Sequence, residues 1–356
     1  MKRIGLLTSG GDCQALNATM RGVVKGLSHN LTELEVYGFM DGYKGLIYGD
    51  YRMLTSRDFS GILTRGGTIL GTSRQPFKMM RVPDEKGLDK VEAMKQNYYK
   101  LRLDCLVILG GNGTQKTANL LREEGLNIIH LPKTIDNDIY GTDMTFGFQS
   151  AVDIATEAID YIHTTAASHN RVFIVEIMGH KVGWLTLHAG IAGGADIILI
   201  PEIPYAIENV CAAIEKRAKQ GKSFSILAVA EGVYDVEEAR MKKKERAAKR
   251  AEQGYTTATN RIAKQIEAMT GFETRVCVPG HMQRGGTPSP YDRVLATQFG
   301  AYAAKMVEDE NYGITVAMKN NHVGENKLKD VAGKSRLVPE GHGMLEVARR
   351  MGISLG

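Results

Sequence analysis

Residues Leu131 to Asp138 read LPKTIDND, and they place two carboxylates, Asp136 and Asp138, two positions apart behind the apolar run 127–131. If that run is a parallel strand, the loop lies at its carboxyl end, where open α/β sheets bind their ligands. The alternation acid, amide, acid lets one carboxylate face a substrate hydroxyl while the next faces a metal ion. Phosphoryl transfer needs that division: a base accepts the hydroxyl proton, and a magnesium ion offsets charge spreading over the transferred group. A second reading stays open, a turn whose Asp and Asn side chains cap the helix that follows.

Three strand, glycine-loop and helix units stand ready to position such chemistry. Residues 3–8 read as a short strand, Ser9-Gly10-Gly11-Asp12 as a tight turn, and 17–27 as a helix with apolar residues at helical spacing. The glycines let backbone N–H groups approach an anion at the positive end of the helix dipole. A turn needing positive φ at Gly10 or Gly11 would account for the same residues. Thr64 to Thr68 and Gly71-Thr72-Ser73-Arg74 form a second such loop with hydroxyls and two guanidinium groups, whose forks match phosphate. For Arg65 a surface ion pair is the alternative. Residues 104–109, DCLVIL, read as a strand buried on both faces; they feed Gly110-Gly111-Asn112-Gly113-Thr114 and a helix over about 115–124. All three loops belong on one sheet edge, which favours one shared phosphate site. The Walker pattern GxxxxGK[ST] and the Rossmann pattern GxGxxG are both missing.

The chain of 356 residues, 43% of them hydrophobic, is long enough for two domains with their own cores. No apolar stretch reaches the roughly 20 residues of a membrane helix, and MKRIGLLTSGGD runs straight into a strand, so neither a signal peptide nor an anchor is expected. Cys13, Cys105, Cys211 and Cys277 are scattered without metal-like spacing, as reduced thiols of a cytoplasmic protein would be. The net charge of +5 permits anionic substrates without arguing for nucleic acid. Residues 172–177, 197–200, 225–230 and 274–278 read as strands of another α/β layer. Trp184 reads as core, and Gly193-Gly194 as a turn or a close approach. Residues 237–252 carry seven basic residues between Arg240 and Arg250 among strong helix formers. They read as a solvated helix, since aromatic residues for stacking on nucleic acid are absent.

LTSGGD at 7–12, RGGTILGTSR at 65–74, GGNGT at 110–114, PKTIDND at 132–138 and GTDMTFGF at 141–148, together with SHNR at 168–171, EIMGH at 176–180, AEG at 230–232, ETR at 273–275 and GHMQRGGTPSPYDR at 280–293, resemble the phosphofructokinase family in order along nearly the whole chain. The resemblance implies an α/β protein of two Rossmann-like three-layer α/β/α domains. Residues 1–146 with about 284–330 would bind the phosphoryl donor, and 147–283 with about 331–356 fructose 6-phosphate. It implies Asp136 as the general base toward the 1-hydroxyl, Thr134 as its positioning partner, and Asp138 and Asn112 at the magnesium ion. Gly11, Ser73, Arg74, Gly111, Gly113, Thr114 and Lys133 would surround the donor, with Tyr43 by an adenine ring or simply packed. Arg171, Met178, Gly179, Glu231, Arg275, His281 and Arg284 would hold the sugar phosphate, Arg171 and Arg275 from a neighbouring subunit of a homodimer or tetramer. Several fixed cations at separate loops suit a dianionic phosphate. His281 alone would read as a structural histidine; beside Arg284 and two glycines it reads as an anion ligand.

Two residues depart from the family's pattern. Asn112 stands where an aspartate is usual and is a poorer partner for a hard cation; His180 stands where an arginine is usual, and imidazole is only partly charged near neutrality. Gly113 leaves room for ATP, whereas Lys133 is associated with pyrophosphate; the steric argument puts ATP first. Arg21, Lys25 and Glu202 fall where bacterial members of the family bind an allosteric nucleotide, but His163 replaces an arginine expected there, so an effector site is not assumed; pairing with acids at a subunit interface is the alternative, and it is put first. A sugar-phosphate-binding relative without turnover is the remaining alternative, against which both aspartates argue. No nucleic-acid or membrane partner is expected.

Overall fold

The structure, a computed structural model, describes residues 1–255 and 257–356, without the side chain of Lys243. The chain forms two compact units: Met1–Ser150 with Arg284–Arg336, and Ala151–Gln283 with Leu337–Gly356. Among the described residues the strands in chain order are β1 (Lys2–Ser9), β2 (Leu34–Phe39), β3 (Tyr51–Leu54), β4 (Cys105–Gly110), β5 (Ile128–Pro132), β6 (Val172–Ile177), β7 (Ile197–Leu199), β8 (Ser225–Ala230), β9 (Thr274–Cys277), β10 (Ile314–Lys319) and β11 (His322–Lys327).

In the first unit the sheet order is β11-β10-β5-β4-β1-β2-β3. The five inner strands are parallel, and β3 and β11 pair antiparallel at the edges. Every residue of β4 and β5 is buried, which is why both read as unbroken apolar runs. On one face Leu7, Phe39, Leu106, Ile108 and Ile128 pack with Leu121 and Met94 from the helices. The chain runs outward from β1 through β2 on one side and returns through β4 on the other. The strand order therefore reverses at β1 and β4, and a ligand crevice opens at their carboxyl ends.

One boundary differs from the sequence reading in a way that matters. The helix after β4 spans Asn112–Glu123, so Asn112, Gly113 and Thr114 form its first turn and are not loop. Gly111 precedes it in extended conformation as the N-cap. At Gly110 a Cβ would meet Thr114 Cβ at 2.4 Å, so only glycine lets the strand turn this tightly onto the helix.

In the second unit the order is β7-β8-β6-β9, all parallel. Ile174, Leu199, Leu227 and Val229 pack there with Ile214 and Ile262. Trp184, 2% exposed, opens the Trp184–Ala192 helix as a core residue, with the His342 ring edge-on at 4.9 Å. Gly194 takes φ +66°, and a Cβ at Gly193 would meet Ile159, so the pair serves both a turn and a close approach.

The basic stretch forms the expected largely exposed helix, but it is tied down at one buried acid. A 3-10 turn, Glu238–Arg240, precedes the Lys243–Glu252 helix, and Glu238 is fully buried. Its carboxylate accepts from Arg250 at 2.7 and 2.8 Å and from Arg261 at 3.0 Å. Arg261 also pairs with Asp235 at 3.0 Å and donates to the Tyr205 hydroxyl at 2.9 Å. Arg246 lies 4.4 Å over the Tyr234 ring, and Lys249 meets Glu237 at 3.2 Å. These cations face the unit because one buried acid in the run demands them. Burial alone would raise the Glu238 carboxyl, but the hydrogen bond and charge of Arg250, with Arg261, lower it below its ordinary 4.5.

No helix among the described residues is long and apolar enough to cross a membrane. The cysteines Cys13, Cys105, Cys211 and Cys277 are free thiols.

Removing one partner of a buried ion cluster leaves the others uncompensated, so Glu238→Ala should cost about 3 kcal/mol in urea unfolding. Because the native carboxyl is held below 4.5, this contribution is present above that pH and lost as pH falls through the lowered native value. Equal unfolding midpoints for variant and parent at neutral pH would contradict it.

Candidate active site

Three loops at the carboxyl edge of the first sheet are stitched to one another by their backbones. Gly10, at φ +86°, donates its N–H to Ser73 O at 3.1 Å, and Thr72 Oγ1 donates to Gly10 O at 2.7 Å. Asn17 donates to Arg65 O at 3.0 Å and accepts from Ile69 N–H at 2.8 Å. Ser73 Oγ donates to Asp41 O at 2.6 Å, a framework contact, while Arg74 beside it is exposed. Thr114 Oγ1 donates to Ser9 O at 3.3 Å and joins the third loop to the first.

Two cations sit inside this frame. Lys133 is buried and its Nζ donates to Gly11 O. Burial lowers its pKa, and the nearby Arg284 charge lowers it further, while Cys13 and Asp136 act in the opposite direction. Arg284 Nη1 donates to Asp12 O at 3.0 Å, and a Cβ at Gly11 would stand 2.9 Å from that guanidinium. Arg284, expected with the sugar-phosphate group, is thus bonded to the first glycine loop. Gly111 approaches the same region: its Cβ would meet Lys133 O at 3.4 Å.

The carboxylate loop follows β5 directly. Thr134 Oγ1 accepts from Asp136 N–H at 3.0 Å. Asn137 between the two acids is buried and takes the left-handed conformation at φ +53°. Its Oδ1 accepts from Thr145 N–H at 3.0 Å and its Nδ2 donates to Asp143 O at 3.2 Å. Asp138 is half-buried; burial, with the Asp136 charge adding, pushes its carboxyl up to about 6. The helix-capping alternative does not hold for these acids. The next helix begins only at Phe148, and the carboxylate at its first turn is Asp292, which accepts from Ser150 N–H at 2.8 Å.

In the second unit, Met178, Gly179 and His180 follow β6. Met178 N–H donates to Gln283 Oε1 at 3.2 Å. Glu231, expected to meet sugar hydroxyls, accepts with Oε1 from Gly179 N–H at 3.3 Å and His180 N–H at 2.8 Å. Gly179 takes φ +147° and His180 φ +53°, and a Cβ at Gly232 would lie 2.0 Å from His180 O. His281 is exposed in the Gly280–Arg284 3-10 turn.

Arg171 and Arg275 lie elsewhere. Arg171 immediately precedes β6, and Arg275 pairs in register with Phe173; both bond Glu273. They occupy the amino end of six-residue β6, and at about 3.3 Å per residue the carboxyl end with Met178 is roughly 20 Å away. One chain does not bring the two groups onto one hexose phosphate.

The phosphofructokinase family model matches residues 3–307. The chain belongs to that family. It is 55% identical to an ATP-dependent 6-phosphofructokinase of Spirochaeta thermophila, covering 100% of this chain and 98% of the relative. It is 47% identical to ATP-dependent 6-phosphofructokinase 3 of Bacteroides thetaiotaomicron, covering 99% and 100%. Among solved structures, phosphofructokinase from Saccharomyces cerevisiae superposes with a TM-score of 0.79 at 31% identity, covering 93% of this chain; the chain spans 45% of that longer one. The phosphofructokinase fold, two α/β units, is therefore the fold of this chain.

Within that family frame one expected contact needs correction. Tyr43 is 1% exposed and packs in the core, and its hydroxyl donates to Thr114 O at 2.9 Å. Its ring has no free face for an adenine to lie on; it braces the first turn of the Asn112–Glu123 helix. Among the proposed effector residues, His163 Nε2 bonds Gly193 O at 2.7 Å, and Glu202 Oε1 accepts from Gly183 and Val338 N–H, each at 3.0 Å.

The closest backbone approach in the donor frame is at Gly66, where a Cβ would lie 2.0 Å from Gly286 O. Gly66→Ala should push the second loop off the segment that follows Arg284, costing about 1–3 kcal/mol as overpacking does. A lower thermal midpoint and a raised KM for the phosphoryl donor are expected, and a variant with parental values of both would refute the packing account.

Proposed function

We propose that the protein is an ATP-dependent 6-phosphofructokinase, which moves the γ-phosphoryl group of ATP to the 1-hydroxyl of fructose 6-phosphate to give fructose 1,6-bisphosphate and ADP. The observation that carries the reading is the Thr134–Asp138 loop, two carboxylates split by a pinned Asn137 beside three interlocked glycine loops at a topological switch point. The names of the full-length relatives support both the reaction and the donor.

The first unit supplies the donor site and the base. Gly11, Gly111 and Gly113 bring backbone groups to the donor phosphates, Ser73 and Thr114 hold the surrounding loops through their hydroxyl bonds to Asp41 O and Ser9 O, and Arg74 and Lys133 offset the phosphate charge. Asp136 accepts the 1-hydroxyl proton, held in aim by its N–H bond to Thr134 Oγ1. The second unit supplies Met178, Gly179, Glu231 and His281 for the sugar phosphate, and His180 for the transferring phosphoryl group. Arg284, bonded to Asp12 O, adds a fixed cation at the first glycine loop. Catalysis in this reading is positioning and electrostatics, with one proton transfer.

Asp138 and Asn112 are the residues that would hold a magnesium ion, and they fit one. Asn112 Oδ1 is buried without a hydrogen-bond partner among the described residues, and the like charge of Asp136 adds to the burial that raises the Asp138 carboxyl. When bound, the ion would neutralise charge on the phosphates. Among the described residues no group of three or more His, Cys, Asp or Glu could hold a metal. Two oxygen donors, an amide and a carboxylate, are of the kind magnesium takes alongside water and phosphate oxygens.

Arg171 and Arg275 serve the sugar phosphate of a second copy in this reading, because they stand at the far end of β6. The active enzyme is then a homodimer or a larger homo-oligomer, working in the cytoplasm.

Lys133 favours a second reading, pyrophosphate as donor, since a buried cation at Gly11 could hold an inner phosphate. Gly113 opposes it: it is exposed, and a Cβ there would meet nothing within 4 Å, so the space for a nucleotide is open. Purified protein with magnesium and fructose 6-phosphate should form fructose 1,6-bisphosphate with ATP and not with pyrophosphate. Gly113→Ala, favourable for the helix by up to about 1 kcal/mol, should hold or raise the thermal midpoint while raising KM for ATP. Turnover with pyrophosphate alone would reverse the donor, and turnover with neither would favour a binding-only relative.

A further inference from the structure

The first unit ends on a short tail beside its carboxylate loop. Residues Lys334 to Arg336, the last of the first unit, reach both residues assigned to the metal. Asn112 Nδ2 donates to Lys334 O at 3.1 Å and to Ser335 Oγ at 2.8 Å. Ser335 forms an antiparallel bridge with Ile139, Arg336 N–H donates to Asp138 O at 2.8 Å, and Arg336 Nη1 donates to Asn137 O at 3.4 Å.

The chemistry of the Lys334 carbonyl decides which way the Asn112 amide faces. A carbonyl only accepts, so the NH2 of Asn112 must be on that side and Oδ1 on the other. Ser335 adds a second acceptor and narrows the rotamer. The result is a buried Oδ1 with no partner among the described residues, an arrangement that is costly unless a ligand meets the oxygen.

We infer that Ser335, with the Lys334 carbonyl, is a positioning residue that turns Asn112 Oδ1 toward the metal beside Asp138, so that asparagine is the residue this tail selects at position 112. The inference rests on the magnesium assignment proposed above. It also inverts an expectation drawn from charge alone: an aspartate at 112 would set a carboxylate oxygen against Lys334 O, and the repulsion would turn it out of place.

The test is Mn2+ binding to the full-length protein in the presence of ADP, followed by electron paramagnetic resonance of free Mn2+, with circular dichroism and thermal midpoint as folding controls. Ser335→Ala should weaken Mn2+ binding about five-fold, the equivalent of one ordinary hydrogen bond, while ADP affinity without metal stays at the parental value. Ser335→Thr, which keeps the hydroxyl, should restore it. Asn112→Asp should bind Mn2+ no more tightly than the parent. Parental Mn2+ affinity in Ser335→Ala, or a clear tightening in Asn112→Asp, would overturn the positioning role while leaving the metal assignment standing. Parent protein that binds ADP but no Mn2+ would overturn the metal assignment itself, and the inference with it.

Discussion

The geometry of the site depends on the side chain of Asn137. In the left-handed conformation the backbone reverses locally, and most residues resist that by about 1–2 kcal/mol, asparagine less than others. Here the buried amide spends its oxygen on Thr145 and its nitrogen on Asp143, which anchors the loop from within. Asp136 and Asp138, on either side of the anchor, differ as a result. Asp136 is held through its N–H by Thr134, and Asp138 through its carbonyl by Arg336. Two acids close in sequence can then take two tasks, because one buried neutral residue prevents them from exchanging places.

Electrostatics work in the same direction. Lys133 is buried beside Arg284, and burial and that neighbouring charge both disfavour its charged form; the Cys13, Asp136 and Asp12 charges only partly offset this. In the proposed reading an arriving polyphosphate would supply the missing negative charge, so that the frame would be arranged for an anion before it binds. The glycines contribute by close approach: at Gly11 and Gly66 a single Cβ would meet Arg284 or Gly286. Loops this tight are stiff, and stiffness is what positioning in line requires.

Much of this was legible in the sequence because it is local. Strands buried on both faces read as unbroken apolar runs, and β1, β4 and β5 lie within a residue or two of their expected places. The glycine loops follow them, so the shared edge could be read from chain order. What escaped depends on partners far along the chain. Tyr43 reads as a ring beside a turn until Thr114 takes its hydroxyl. Glu238 is one acid in a charged run until Arg250 and Arg261 close over it. Gln283, buried in the family's GHMQRGG stretch, ties Met178 to the Gly280 turn through Oε1 and Nε2. The hold of Ser335 on Asn112 has no periodic signal at all.

The central claim is that Asp136 takes the proton from the acceptor hydroxyl while the rest of the site only positions and stabilises. The most direct test is the single-turnover rate of fructose 1,6-bisphosphate formation from ATP by Asp136→Asn, alongside its fructose 6-phosphate affinity. Loss of a general base predicts a rate lower by about 10²–10⁴-fold with sugar-phosphate binding retained within a few-fold. A variant that turns over at a near-parental rate would contradict the account.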